Sequence, residues 1–600
     1  MQNHSSLKSG IAGFFLNIIS SCLGFVIGSV ILVVIGIILI CVLVFAGDDN
    51  AAIKRNSVLK IQLSGIMTEK SNTDDLVSML GDSDPTVSLE SILNAIKAAK
   101  TNDNIKGISI EAGLLSADPA SLEEIHHALA DFKSTKKFVY AYGDHYTQGA
   151  YFVCSAADKI VLNPIGQVDW KGLSSQTVFY TALLAKLGIK MQVFKVGTFK
   201  SAVEPYTLTQ MSEANRTQVN AFLQDIWQRF VNLTAHQRHL TPQRLNALAD
   251  KYMGLAPAQE LKDCKLVDEL MYRDEYIDML KKKTGTDPDD ELRQVSPQTI
   301  APSVTMPSAE NSIAVIYAAG DIVDVKELGL MSSQAIDATT MDKAIREISK
   351  DDNTKAVVIR INSGGGSAYA SEQIWHSVKT LSLKKPVVVS MGGIAASGAY
   401  YISSAANTIV AEPTTLTGSI GIFGLIPDVS VLLDDKLGLK FEAVKTNQMA
   451  DLGNMSRPFN EDESRLMQSY IDNGYKLFLK RVADGRNKTM AQVDSIAQGR
   501  VWTGRQAKQI GLVDQLGGLQ TAIDIAARLA KIQKDNYTIT SYPKEEPWYT
   551  SIGMSQAQAQ MAGKAVRTAM GDLYEPLSAL HSLSRKDRIQ ARLPYIIKID

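Results

Sequence analysis

Residues Gly149-Ala150-Tyr151-Phe152-Val153-Cys154-Ser155-Ala156-Ala157-Asp158-Lys159-Ile160-Val161-Leu162-Asn163-Pro164 return 249 positions later as Gly398-Ala399-Tyr400-Tyr401-Ile402-Ser403-Ser404-Ala405-Ala406-Asn407-Thr408-Ile409-Val410-Ala411-Glu412-Pro413, with nine of sixteen residues identical. The shift holds upstream without a gap, setting Lys106-Gly107-Ile108-Ser109-Ile110 on Lys355-Ala356-Val357-Val358-Ile359 and Glu123 on Glu372. Downstream the match drifts by a few residues, Leu187-Gly188 against Leu437-Gly438 and Leu266-Val267-Asp268 against Leu512-Val513-Asp514, as loop insertions produce. Self-similarity of this extent marks a duplicated domain. Each copy reads as strand, turn, helix, strand, helix, strand: Ala356 to Ile361 is a β-branched run, Ser371 to Leu381 is amphipathic, and Pro386 to Met391 is a second buried run. Apolar strands alternating with helices imply parallel sheet built from right-handed crossovers, so the expected fold class is α/β, in two tandem copies.

The rest of the chain arranges itself around those copies. Six hundred residues exceed what one core usually supports. An apolar run from Leu23 through Val26, Ile31, Val34, Ile38 and Leu43 to Ala46 carries no charge and is long enough to span a bilayer as a helix. A cleaved signal peptide is the competing reading, but its apolar stretch is shorter, about 7–15 residues, and Ala46-Gly47-Asp48 is a poor cleavage site. Lys8 before the span and Lys54 and Arg55 after it, close behind Asp48 and Asp49, leave orientation undecided. Thr286 to Asn311 is polar and holds Pro288, Pro297, Pro302 and Pro307, the composition of a linker. The expected layout is a tail (1–22), a transmembrane anchor (23–46), a first repeat (47–286), a linker (287–311), a second repeat (312–545) and an extension (546–600). That extension includes Arg585-Lys586-Asp587-Arg588 and has neither repeat partner nor motif.

Charge and cysteine use exclude several function classes. Lys and Arg number 62 against 63 Asp and Glu, a net charge of -1, so no electrostatic footprint for a nucleic-acid partner exists. Cys22 and Cys41 lie at or in the apolar span, leaving Cys154 and Cys264 as the one possible soluble pair, with Cys154 reading as a small buried thiol. The eight histidines form no HExxH and no spaced Cys/His set, so no metal is expected, and no other cofactor is expected either.

Chemistry concentrates in the second copy. The strand ending at Ile361 runs into Asn362-Ser363-Gly364-Gly365-Gly366-Ser367 and then a helix; successive glycines let amides converge beside a positive helix terminus, the construction of an oxyanion hole. A phosphate-binding turn or a plain tight turn would share that glycine run. The first copy has Leu115, Ser116 and Ala117 there, so only one half carries it. Downstream, Met391-Gly392-Gly393-Ile394-Ala395-Ala396-Ser397-Gly398 sets a serine among small residues at a helix start, where a helix cap is the bland alternative. The position matching Ser397 is Gln148, although the flanking Gly149-Ala150-Tyr151 is kept. A serine nucleophile needs a base. His376 matches His127 in the half without the serine, which points to a structural histidine.

Asn362 to Ser367, Ile394-Ala395-Ala396-Ser397-Gly398, Leu416-Thr417-Gly418-Ser419-Ile420-Gly421 and Gly197-Thr198-Phe199-Lys200-Ser201-Ala202 together resemble the long, two-domain signal peptide peptidase A (protease IV) family, from the membrane span to about Leu516. The resemblance implies two ClpP/crotonase-like domains and a Ser-Lys serine protease, with the lysine on Lys200 and the serine on Ser397. Gly364 departs from the family turn, which commonly has proline there; Gly365 and Gly366, the pair expected to hold the oxyanion, remain. It further implies signal-peptide remnants and membrane-proximal hydrophobic peptides as substrates, and a tetramer on the outer face of a bacterial inner membrane. Self-comparison agrees: at the local shift of 250, Lys200 pairs with Ala450 and Ser201 with Asp451, so each half keeps what the other lacks. Ordinary lysine is protonated at neutral pH, so burial between the halves has to lower its pKa. Ser419, opposite Trp170 in the first copy, is the candidate for orienting the lysine, with a plain turn residue as the alternative. A crotonase-type acyl-CoA enzyme and a catalytically dead membrane scaffold remain as rival readings.

Overall fold

The computed structural model describes scattered positions between 24 and 36, then residues 53–70, 86–300, 309–324, 335–533, 536–544, 589–592 and residue 599. Strands of the first repeat are β1 (Ser57–Thr68), β2 (Ile105–Ser116), β3 (Phe138–Tyr146), β4 (Lys159–Val168) and β5 (Lys190–Lys195). Those of the second are β6 (Ser312–Ala319), β7 (Asp321–Val323), β8 (Thr354–Ser363), β9 (Gly365–Ser367), β10 (Val387–Ala396), β11 (Thr408–Ala411), β12 (Leu416–Gly418) and β13 (Phe423–Asp428), and β14 (Ile589–Arg592) lies near the C-terminus.

The duplication is visible as topology. In the first repeat β1, β2, β3 and β4 pair in that order, all parallel. In the second, β6, β8, β10 and β11 pair in the matching order, again all parallel, with β12 further along β10. Helices on the sheet faces explain the unbroken apolar runs: all ten residues of β10 are buried. The segment expected as a linker is only partly one. Gln294–Val295 pairs with β1, as Thr538–Tyr542 pairs with β6, and a helical turn at Pro297–Ile300 buries Pro297 and Ile300. A two-residue strand is too short to show periodicity. Residues 301–308 lie outside the described residues, as do the tail 1–22, most of the expected anchor 23–46 and nearly all of the extension 546–600. Described positions between 24 and 36 are helical. Among the described residues no helix is long and apolar enough to cross a membrane.

Both repeats belong to one unit, residues 55–600. A third sheet stitches them together: β5 of the first repeat runs antiparallel to β13 of the second, from Phe423 opposite Lys195 to Asp428 opposite Lys190. A buried ion cluster provides the second stitch. Arg360, 1% exposed in the middle of β8, meets Glu69 at 2.8 Å and Glu124 at 2.6 Å, both from the first repeat. It also donates to Ser390 Oγ (3.0 Å), and Asn362 Nδ2 donates to the other Glu69 oxygen (2.8 Å). Removing one member of such a cluster strands buried charge. Arg360→Ala is expected to cost about 3–5 kcal/mol, read as a lowered midpoint in thermal and denaturant unfolding. Arg360→Lys should lose less, since the charge remains and only the two-pronged geometry goes. Unchanged midpoints in Arg360→Ala would show that the cluster does not hold the repeats.

Candidate active site

Lys200 reaches the second repeat because its turn is pressed against a loop of that repeat. Leaving β5, the chain bends at Gly197 (φ 103°), where a Cβ would strike the backbone of Gln498. Phe199 N then donates to Gln498 O (2.9 Å). Gln218 locks both sides: its Nε2 donates to Phe199 O (3.0 Å) and its Oε1 accepts from Val501 N (3.2 Å). Gly499 (φ 78°) is where the loop passes the lysine itself, since a Cβ there would lie 2.7 Å from Lys200 Cα. The side chain continues past Gly421, whose Cβ position would be 3.3 Å from Lys200 Cδ. Nζ ends 2.8 Å from Ser397 Oγ, 3.0 Å from Ser419 Oγ and 3.2 Å from Ser419 O, with the Phe423 ring centroid at 5.9 Å. Burial alone pulls the Lys200 pKa down to about 7.

Ser397 sits at the corner where β10 turns into the helix Gly398–Ser403, at φ 56° and ψ -113°. Its amide donates to Gly418 O (2.8 Å), but its hydroxyl caps nothing in that helix. The hydroxyl accepts from Lys200 instead. In the first repeat the corresponding helix, Gln148–Cys154, starts at an ordinary corner capped by Thr147, and Gln148 turns its amide group to Lys171 N and Gly172 N, both 2.9 Å away. The cap reading of Ser397 therefore fails in the half that has the serine. Ser419 likewise has φ 49°, its amide donating to Arg500 O (2.7 Å), while its counterpart Trp170 is a buried core residue bonded to Leu245 O (2.9 Å).

The glycine turn faces the same corner. Gly365 (φ 102°) gives its amide to Ser363 Oγ (3.1 Å), and a Cβ on it would stand 2.9 Å from the Gly398 amide nitrogen. Gly366 packs so closely on Ile322 that a Cβ would strike its backbone. His376 is exposed on the helix Ala368–Ser382 and is not among the partners of Ser397. Cys154 and Cys264 are both buried free thiols. Glu123, His127 and Glu412 converge within 4.8 Å, yet Glu123 is already held by Arg229 (2.6 Å) and Thr414 (2.8 Å). Sequence reasoning missed the Gly398 amide, Gln218, Gly421, Phe423 and Gly499. Gln218 and Gly499 carry no motif; contact with distant chain decides their place, Gln218 with Val501 across 283 residues and Gly499 with Lys200.

A serine hydroxyl held by a buried, neutralisable amine, at the mouth of a glycine turn, is the arrangement of a hydrolase that works by acyl transfer. The model of peptidase family S49 matches residues 131–287 and 379–533, once in each repeat, and that of Clp protease matches residues 323–415. Protease 4 of Salmonella typhi is 37% identical over 548 residues, covering 88% of this chain and 87% of its own. The chloroplastic serine protease SPPA of Arabidopsis thaliana is 31% identical, over 80% of this chain and 70% of its own. A putative signal peptide peptidase SppA of Enterococcus faecium is 29% identical, over 44% of this chain and 76% of its own. The chain belongs to peptidase family S49 and is a serine peptidase built from tandem ClpP-like α/β domains.

The close passage at Gly499 generates a test away from any reacting atom. Gly499→Ala puts a Cβ 2.7 Å from the Lys200 backbone at a left-handed φ, so the lysine has to shift. A displacement near 1 Å lowers kcat/KM by about 10²-fold. Steady-state assay of Gly499→Ala beside its circular dichroism spectrum checks this, and full activity would contradict the packing described.

Proposed function

We propose that Ser397 is the nucleophile and Lys200 the general base of a Ser-Lys endopeptidase, a reading carried by the 2.8 Å Nζ–Oγ contact at a fully buried amine. Neutral Lys200 takes the Ser397 proton as Oγ attacks the peptide carbonyl. The Gly365-Gly366 turn, with the Gly398 amide beside it, receives the oxyanion, the Gly365 amide exchanging its Ser363 Oγ partner for it. Lys200 then returns the proton to the leaving amine, and water hydrolyses the acyl-enzyme by the reverse sequence. Ser419 orients the amine through its hydroxyl and carbonyl, both within 3.2 Å.

The substrates in this reading are cleaved signal peptides and other apolar, membrane-proximal peptides. Support comes from the names of the relatives and from the uncharged run 23–46, which would tether the enzyme to a bacterial inner membrane with its repeats on the outer side. A homotetramer is part of the same proposal.

Labelling with a serine-reactive fluorophosphonate tests the chemistry. Label is expected on the wild-type chain and absent from Ser397→Ala and Lys200→Ala; retained activity in Ser397→Ala would favour an acyl-CoA enzyme of crotonase type, and an unlabelled, inactive wild type a scaffold. The pH profile supplies a separate check. Because Lys200 must be neutral, kcat/KM should climb with pH through an acidic limb near the lowered pKa of about 7 and fall away below it. His376→Ala should leave that limb in place; its disappearance would reassign the base.

A further inference from the structure

Arg500 lies on the loop that passes Lys200, and among the described residues no carboxylate pairs with its guanidinium. Its Nε is buried without a hydrogen-bond partner, and burial pulls its pKa below the ordinary arginine value. What the group does meet is two ring faces. Its central carbon stands 4.2 Å from the centroid of the Trp502 ring and 5.0 Å from that of Phe199. Trp502 belongs to the second repeat; Phe199, the residue before Lys200, belongs to the first. Burying a charge without a partner is costly, and an apolar side chain would fill the same space without leaving Nε unsatisfied. Arginine alone offers a flat cation that rests on aromatic faces.

The main chain of the same residue supports the other side of the amine. Arg500 O accepts from Ser419 N (2.7 Å), and Ser419 in turn receives Lys200 Nζ on its hydroxyl and its carbonyl. The loop itself is anchored, since Arg500 N donates to Ala497 O and Gly499 N to Ile420 O, both at 2.8 Å. Trp502 is fixed as well: its Nε1 donates to Ile496 O (3.0 Å), it faces Thr417 of β12, and a Cβ on Gly418 would stand 2.9 Å from its ring. That leaves Phe199 as the side of the stack that a movement of the first repeat would open. Arg500 therefore holds both supports of Lys200, the Ser419 turn through its carbonyl and the Phe199-Lys200 turn through its side chain.

We propose that Arg500 is a positioning residue of the Ser-Lys pair: stacked between Trp502 and Phe199 across the boundary of the repeats, its guanidinium sets how deeply Lys200 enters the second repeat, and so both the reach and the dryness of Nζ beside Ser397. The proposal rests on the reading of Lys200 as general base. Arg500 acts through Lys200 rather than on the substrate, so its loss bears on kcat and on the protonation of the lysine and leaves KM alone.

Arg500→Met, in the full chain, keeps the length and removes the flat cation. Its kcat on a short fluorogenic peptide, counted per site titrated with fluorophosphonate, is expected to fall by about 10²-fold at unchanged KM. The acidic limb of its kcat/KM profile should move up by about one pH unit, toward the ordinary lysine value of about 10.4, as water reaches Nζ. Arg500→Lys keeps the charge without the plane and should resemble Arg500→Met. Phe199→Leu opens the stack from the first repeat with Arg500 in place, which serves if Arg500→Met fails to fold, and should move both readouts the same way by less. In the double variant the effects should not add, because both changes break one stack. A purely structural role would lower the unfolding midpoints while kcat per titrated site and the limb stay as in wild type; that result, or a wild-type profile in Arg500→Lys, would overturn the proposal. Wild-type kcat/KM in Lys200→Ala would instead sink the assignment of the base.

Discussion

Everything at the site depends on keeping one ammonium group out of water. An exposed lysine near pKa 10.4 is neutral about once in 2,500 molecules at pH 7, far too rarely for an effective base. At a pKa of about 7 the neutral form is roughly half the population. The cost falls on stability. The unfolded chain binds this proton up to about pH 10.5 and the folded chain only up to about 7, so the native state loses stability as pH falls through that window, reaching about 5 kcal/mol below it. Other contacts between the repeats have to offset that loss: Arg360 with Glu69 and Glu124, Asp225 with Thr503 and Arg505, and six facing residue pairs between β5 and β13.

Ser397 carries a second cost in stability. Ser397 holds a backbone conformation that side-chain-bearing residues rarely adopt, at a cost of order 1–3 kcal/mol. What the strain provides is direction: the hydroxyl leaves its helix uncapped and points at Lys200. In the first repeat, with Gln148 in that place, the corner relaxes to a capped helix start. The parallel sheet beneath both corners is unchanged, so strain is confined to the turn and the scaffold absorbs it.

The scaffold was legible in the sequence, for a physical reason. Buried parallel strands demand long apolar runs, and a duplicated chain displays each demand twice, which is why Ala356 to Ile361 and its partner were readable. The reciprocal loss around Ser397 and Lys200 was readable for the same cause. Arg360 was the signal overlooked inside that run, since a charge in a fully buried strand requires counter-charges, here Glu69 and Glu124. Gly499 and Gln218 left no trace because their roles are purely of contact with distant chain. Gln294–Val295 and β14 were invisible for a related reason: strands of two and four residues have no period of their own and exist because an edge elsewhere is unpaired.

One strand of the second repeat touches both the turn that carries Lys200 and the strand beside the glycine turn. β13 pairs with β5 along one edge, and β5 leads directly into the turn that delivers Lys200. Its other edge pairs with β14, whose far side pairs with the glycine strand β9. The contact that buries Lys200 is therefore also the contact that sets β13 beside β14. Separating the repeats would expose the amine and restore its proton.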